Sequence, residues 1–314
     1  MHASEALLGG VAAIAITALN ILGIRLAARV QAAVVLLILA AGALLAAGGL
    51  LHADRIAQHV EVWKGLAGVF AVIIMAPFLF VGFDVIPQSA EEITGDMRDI
   101  GRALVTAIAL AVAFYMIIVF AVGLAPFDKS ASTLATADAA GAWWNSPKAS
   151  AFLVVAGIGG ILTSWNAFLI GGSRAMFALA RSGQLPPLLA RVHPKFGTPW
   201  PAIALIGGLS AFAPLLGRNA LTWIVNAGAF GITLAYIFVA ASFIRLRIKE
   251  PDLPRPYRAP GGAGVGVAAL ILGLGLLALY LPWSPSALRW PQEWGLLAAW
   301  ALFGLVLWLI RRGR

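Results

Sequence analysis

Cysteine is absent from the 314-residue sequence, and charged side chains make up only 11% of it. The lack of cysteine excludes disulfide bonds, thiolate metal sites and cysteine nucleophiles. The four histidines, His2, His52, His59 and His193, lie outside the long apolar runs, and we expect neither a metal nor another cofactor. Hydrophobic residues reach 61%, against about 45–50% in a soluble domain, so the composition indicates a protein of the lipid bilayer.

The basic residues of this chain have a topological explanation. There are 22 Lys and Arg against 13 Asp and Glu, a balance that in a soluble protein would suggest nucleic acid binding. Here the charges fall between apolar runs, so we expect no nucleic acid partner. The bilayer itself is the expected partner.

Nine apolar runs are long enough to cross a hydrocarbon core, taking about 17 to 25 residues as sufficient. They are continuous rather than alternating in polarity, which predicts helices and not a barrel. The fold class is therefore an all-α integral membrane protein with one transmembrane domain over residues 1–314. The predicted spans are 6–23, 30–51, 66–92, 103–124, 151–180, 201–216, 221–243, 265–281 and 294–310.

The distribution of basic residues predicts the orientation. Sixteen of the 22 follow spans one, three, five and seven or the last span, and six lie on the other side. Because cytoplasmic loops are enriched in Lys and Arg, the C-terminus is expected inside and the N-terminus outside. Nine of the eleven tryptophans, Trp143 among them, flank spans and are expected to be interfacial anchors.

The third span contains the sharpest functional signal, FLFVGFDVIPQSAEEI at residues 78–93. Asp84 is the acid closest to mid-membrane, where an ionisable side chain costs about 2.5 to 3.5 kcal/mol and tends to face a cavity or a partner. Gly82, with Pro77 before it and Pro87 after it, weakens the helical hydrogen bonding on both sides. This pattern predicts a discontinuous helix that lines a binding site.

A polar stripe follows the predicted break. Asp84, Gln88, Glu91 and Glu92 share one face if the segment is helical, which would give a water-accessible path toward the cytoplasm. The alternative is a proline-kinked helix in which Asp84 bonds to a neighbour's hydroxyl and the two glutamates lie in the membrane interface.

Because of these residues and three further motifs, the chain resembles an amino-acid permease of the amino acid, polyamine and organocation superfamily. The resemblance rests on a GF-D-x-x-x-x-x-A-E-E pattern in the third span and on three further stretches in the family's order. These are ALNILGIRLAARVQ (18–31), GGSRAMFALARSGQLPPLLARVHPKFGTPWPA (171–202) and RLRIKEPDLPRPYRAPGG (245–262).

The resemblance implies an inverted-repeat fold of five plus five helices with two more, in which broken first and sixth helices hold the substrate at mid-membrane. The nine spans then correspond to family helices four to twelve. Helices one to three, including the broken first helix, are apparently lacking, and we expect upstream helices that this sequence does not contain.

The resemblance also implies the substrate contacts. An aromatic residue closes over the substrate, an unwound turn binds it, and the eighth family helix contributes residues near the substrate level, where Trp165 also lies. The implied substrate-binding residues are Phe78, Val81, Gly82, Phe83, Asp84, Asn166 and Phe168. The aromatic residues can equally well be packing residues. A buried Asn is more suggestive of a binding role, because it needs hydrogen-bond partners.

The expected function is secondary active transport of an amino acid across the cell membrane by alternating access. Proton-coupled relatives often carry a lysine midway along the fifth helix, where this chain has Ile38. Asp84 is then the candidate for proton coupling, with exchange as the other mechanism. A neutral or apolar amino acid is the favoured substrate, because Asp84 is the one acid at the expected pocket.

Two alternatives to amino-acid transport stay open. A polyamine-type or ethanolamine-type organocation is the alternative substrate, and a truncated or accessory fragment that does not transport is the alternative role. An intramembrane aspartyl protease needs two paired carboxylates and a metalloprotease needs H-E-x-x-H, so no enzyme is expected.

The orientation can be tested in this cysteine-free background with Lys249→Cys and Lys129→Cys. The 245–262 loop carries five basic residues against two in the 125–148 loop, so the two cysteines should react with a membrane-impermeant maleimide from opposite sides. Labelling of both from outside in intact cells would contradict the predicted orientation.

Overall fold

The computed structural model describes residues 3–52, 54, 56, 68–69, 80–88, 90, 96–284 and 286–312. All regular secondary structure in these residues is helical. Two single-turn 3-10 helices cover Pro187–Ala190 and Ala213–Leu216. The α-helices are α1 (Ala3–Leu22), α2 (Ile24–Leu51), α3 (Val85–Gln88), α4 (Met97–Leu124), α5 (Ala135–Trp144), α6 (Pro147–Arg181), α7 (Trp200–Phe212), α8 (Gly217–Lys249), α9 (Gly262–Ala278) and α10 (Gln292–Arg312).

Eight apolar helices are found among the described residues. Five helical stretches, 26–51, 97–124, 147–181, 219–249 and 292–310, are long and apolar enough to cross a membrane, and three more are apolar but shorter. Most of the predicted 66–92 span lies outside the described residues.

Helix boundaries differ from the predicted spans where capping, rather than hydrophobicity, decides them. Gly23, at φ 135°, ends α1 and lets α2 begin at Ile24 instead of residue 30. Helix α4 begins at Met97, because the Asp96 side chain accepts the Arg98 N–H at 2.9 Å and caps the polar first turn.

Helix α5 lies in the segment between spans four and five that was expected to be an outer loop. It packs against α2, α4 and α6. Trp143 at its end is fully buried and donates from Nε1 to the Ala121 carbonyl at 3.0 Å. The prediction that Trp143 is an interfacial anchor is therefore wrong, because this indole finds its hydrogen-bond acceptor inside the protein.

Helix α6 is the central element of the first group of helices and contacts α1, α2, α3, α5 and α7. Small residues dominate the core between α2, α4, α5 and α6 and allow close approach of the backbones. The buried residues of this core are Ala41, Leu45, Ala121, Ala125, Ala137, Ala139, Ala140, Trp143, Ala149, Leu153 and Ala156.

A second group consists of α8, α9 and α10, with α8 in contact with both of the others. Glu293 of α10 is almost completely buried, and its hydrogen bonds connect α10 with α8 and with the residues just before α10. Its Oε1 accepts from Asn226 Nδ2 at 2.7 Å, and its Oε2 accepts from the Arg289 N–H at 2.7 Å.

We predict that Gly48→Ala destabilises the protein. A Cβ at Gly48 would lie 2.8 Å from both Trp143 Cβ and Trp144 Nε1, so α5 must move away from α2. Gly157→Ala on α6 is the matched control, since its Cβ meets nothing within 4 Å and it gains about 1 kcal/mol of helix propensity. Thermal unfolding in detergent, followed by tryptophan fluorescence, should show a lower Tm for Gly48→Ala only; an unchanged Tm would contradict this packing.

Candidate functional site

A turn interrupts helical structure at the predicted break. Residues 81–84 form the turn, with helical residues at Phe80 and from Val85 onward. Gly82 has φ 125°, a conformation that side chains of L-amino acids rarely allow. The turn closes through the Val85 N–H, which donates to the Gly82 carbonyl at 3.2 Å. A glycine is therefore required at position 82 by the backbone itself.

Asp84 holds this turn with both oxygens of its carboxylate. Oδ1 accepts the Gly82 N–H at 2.9 Å, and Oδ2 accepts from Gln88 Nε2 at 3.2 Å. The side chain thus satisfies a backbone donor that the helix break has released. Among the described residues its partners are a backbone amide and a side-chain amide.

The short helix α3 lies directly against α6 at Gly171. A Cβ at Gly171 would overlap Gln88 Oε1 and approach Val85 Cγ2 to 3.0 Å. The missing side chain therefore sets how closely the segment after the turn can approach α6. Sequence reasoning did not assign a role to Gly171, although it opens the GGSR stretch at 171–174.

Aromatic residues before and within the turn contact two further helices. The Phe80 ring centroid lies 5.5 Å from that of Tyr115 on α4, and the Phe83 centroid lies 5.7 Å from that of Tyr236 on α8. The Tyr236 hydroxyl is buried without a hydrogen-bond partner among the described residues. The turn is thus placed between α4, α6 and α8.

Asn166 of α6 lies in a buried amide network. Its Oδ1 accepts from Asn20 Nδ2 of α1 at 2.7 Å, and its Nδ2 donates to Gln31 Oε1 of α2 at 2.6 Å. Asn166 is 5% exposed and Asn20 2% exposed. These bonds join three helices and satisfy the expectation that a buried Asn has partners. A contact between Asn166 and substrate stays a prediction.

Phe168, two residues after Asn166 on α6, lies in the wall of an open cavity of about 870 Å³ between α2, α4 and α6. Trp165, Ile38 and Tyr115 also line this cavity. Tyr115 therefore belongs both to the cavity wall and to the aromatic contact with Phe80. Phe78, Glu91 and Glu92 lie outside the described residues, so their predicted roles stay predictions.

Comparison with known proteins identifies the family. Residues 3–308 match the family described as "Amino acid permease". The chain belongs to this family of permeases. The superfamily resemblance drawn from the sequence motifs is thereby confirmed, and the family is one of transporters rather than enzymes.

Curated relatives of the permease include transporters with different named substrates. The branched-chain amino acid permease BcaP of Bacillus subtilis is 28% identical over 302 residues, covering 94% of this chain and 62% of that protein. The human cationic amino acid transporter 4 is 32% identical over 201 residues, covering 63% and 31%. The methylthioribose transporter of B. subtilis is 27% identical over 201 residues, covering 62% and 42%. The permease thus spans about three fifths of the length of BcaP and less of the other two.

We predict that Asp84→Ala destabilises the permease more than Asp84→Asn. Alanine leaves the half-buried Gly82 N–H without its acceptor, a loss of about 1–3 kcal/mol, whereas the Asn carbonyl can keep that bond. Thermal unfolding in detergent should rank wild type first, then Asp84→Asn, then Asp84→Ala. The exposed Asp252→Ala is the control, and equal Tm values for the two Asp84 variants would show that the bond does not hold the turn.

Proposed function

We propose that this permease carries an amino acid across the cell membrane by alternating access, with its C-terminus in the cytoplasm. The observation that carries the proposal is the turn at residues 81–84, where Gly82 has a positive φ inside an otherwise apolar segment. Backbone groups released at a helix break are the transporter's means of binding charged groups in a low-dielectric environment. We assign substrate contacts to Val81, Gly82, Phe83 and Asp84.

A cavity near the turn favours a substrate with an apolar side chain. Tyr115, which contacts Phe80 next to the turn, also lines this cavity. The cavity that Trp165 and Phe168 line is mostly apolar, with Val35, Ile38 and Leu39 in its wall. Such a lining binds a hydrocarbon side chain through burial of apolar surface. The resemblance to BcaP, named as a branched-chain amino acid permease, supports the same choice.

An organocation is the second candidate. Asp84 could pair with a substrate's ammonium group, and a transporter named for cationic amino acids is among the relatives. The two candidates differ in what should compete for uptake: branched-chain amino acids in the first case, and lysine, putrescine or ethanolamine in the second.

Transport can be measured with the 314-residue chain in proteoliposomes as uptake of radiolabelled L-leucine, with the unlabelled compounds as competitors. We expect Gly82→Leu to abolish uptake, because position 82 does not tolerate a side chain at φ 125°. Gly304→Leu on α10 is the matched control, since its Cβ meets nothing within 4 Å, and it should retain uptake. Undiminished uptake by Gly82→Leu would place the site elsewhere.

We further propose that Asp84 links transport to pH. It is the acid at the turn, and Ile38 in the cavity wall occupies the position where proton-coupled relatives often have a lysine. In proteoliposomes, Asp84→Asn should flatten the pH dependence of uptake more than it raises the KM for L-leucine. A wild-type pH profile in Asp84→Asn would restrict Asp84 to holding the turn.

A further inference from the structure

The hydroxyl of Tyr236 is a buried polar group that the proposed transport site does not use. Tyr236 lies on α8, and its Oη is buried without a hydrogen-bond partner among the described residues. Such an atom has given up its hydrogen bonds to water and gained none from the protein, which is rare in folded proteins. An unpaired hydroxyl therefore calls for an explanation, and a ligand that binds beside it is one.

Tyr236 lies beside the turn at residues 81–84. Its ring is in tilted contact with that of Phe83, with 5.7 Å between the centroids and 32° between the ring planes. Asp84, the next residue of the turn, is close enough to interact electrostatically with the Tyr236 side chain. The unpaired hydroxyl is thus next to the residues to which we assign substrate contacts.

An unpaired O–H beside an acid fits the two charged ends of an amino acid. A phenolic O–H is a donor, and its strongest acceptors are anionic oxygens such as those of a carboxylate. Asp84 does not fill this role, because its two oxygens accept from the Gly82 N–H and from Gln88 Nε2 while Tyr236 Oη stays unpaired. The negative charge of Asp84 attracts an ammonium group instead.

We propose that the Tyr236 hydroxyl donates a hydrogen bond to the carboxylate of the transported amino acid, while Asp84 faces its ammonium group. The proposal rests on the proposed transport function and adds to it a specificity residue on α8. An α-amino acid carries both groups on one carbon, so one molecule satisfies the hydroxyl and the acid together. An amine without a carboxylate gains nothing from Tyr236, and the site therefore favours amino acids over organocations.

A small molecule can reach this place from the turn. Val81, Gly82, Phe83 and Asp84 are all partly exposed, whereas the Tyr236 hydroxyl is enclosed. A ligand meets the hydroxyl only after a neighbouring group has moved. Since the Phe83 ring contacts Tyr236 and belongs to the turn, we expect this ring to shift when the amino acid binds.

The test measures binding to the 314-residue chain in phosphatidylcholine nanodiscs by isothermal titration calorimetry. The ligands are L-leucine, 4-methylpentanoate, which keeps the carboxylate and lacks the amine, and 3-methylbutylamine, which keeps the amine and lacks the carboxylate. Tyr236→Phe removes only the hydroxyl. Tyr280→Phe is the matched control, because Tyr280 is also buried but packs against Phe230 in the second group of helices.

We expect Tyr236→Phe to raise the Kd of L-leucine and of 4-methylpentanoate about tenfold and to leave that of 3-methylbutylamine unchanged. Tyr280→Phe should change none of the three. Asp84→Asn should show the opposite pattern, with a Kd raised about tenfold for 3-methylbutylamine and not raised for 4-methylpentanoate. Without ligand, Tyr236→Phe should unfold at a Tm equal to or above that of the wild type, because no hydrogen bond is lost.

Several outcomes would overturn the assignment. An unchanged Kd of L-leucine in Tyr236→Phe, or an equal rise for L-leucine and 3-methylbutylamine, would show that the hydroxyl does not recognise a carboxylate. A lower Tm of ligand-free Tyr236→Phe would show that the hydroxyl already has a partner, such as a buried water. Absence of L-leucine and 4-methylpentanoate binding to the wild type would exclude a carboxylate site.

Uptake in proteoliposomes separates this assignment from the transport function. If Tyr236→Phe takes up L-leucine with the wild-type KM, transport stands and the assignment to Tyr236 fails. If L-leucine binds with the expected dependence on Tyr236 but is not taken up, the transport proposal fails and the carboxylate contact stands.

Discussion

The close approach of helices to α6 is the constraint on which the rest of the structure depends. In lipid there is little hydrophobic gain in bringing two apolar helices together, so association relies on van der Waals contact and hydrogen bonds. Gly171 supplies such contact toward α3, and Gly159 does so toward α2, where an added Cβ would lie 2.7 Å from Val34 Cγ1. The turn, the amide network and the cavity that Phe168 lines are all placed relative to this one helix.

The turn at residues 81–84 illustrates how a chain in lipid accommodates a helix break. A released N–H costs free energy unless it finds an acceptor, about 1–3 kcal/mol for the half-buried Gly82 N–H. Asp84 provides that acceptor from only two residues away, and Gln88 occupies the second carboxylate oxygen. The acid to which we assign substrate contact is therefore also expected to hold the local structure, so a variant at this position should change both.

The sequence was sufficient to predict the helical class, the family and the break at Gly82, because long apolar runs, motif order and an acid beside a glycine are local signals. It was not sufficient for α5, whose ten residues are rich in alanine and too few to cross a membrane. The hydrogen-bond partners of Asn166 could not be predicted from the sequence either. A buried Asn demands hydrogen bonds, but only the packing of α1 and α2 decides that Asn20 and Gln31 provide them. Gly171 went unassigned for the same reason.

The network of Asn20, Gln31 and Asn166 also has a mechanical consequence. The Asn20–Asn166 hydrogen bond is buried and the Asn166–Gln31 bond is partly buried, and both are costly to break because hydrogen bonds are stronger in a low local dielectric. Helices α1, α2 and α6 are therefore fastened to one another and should move together as one rigid body.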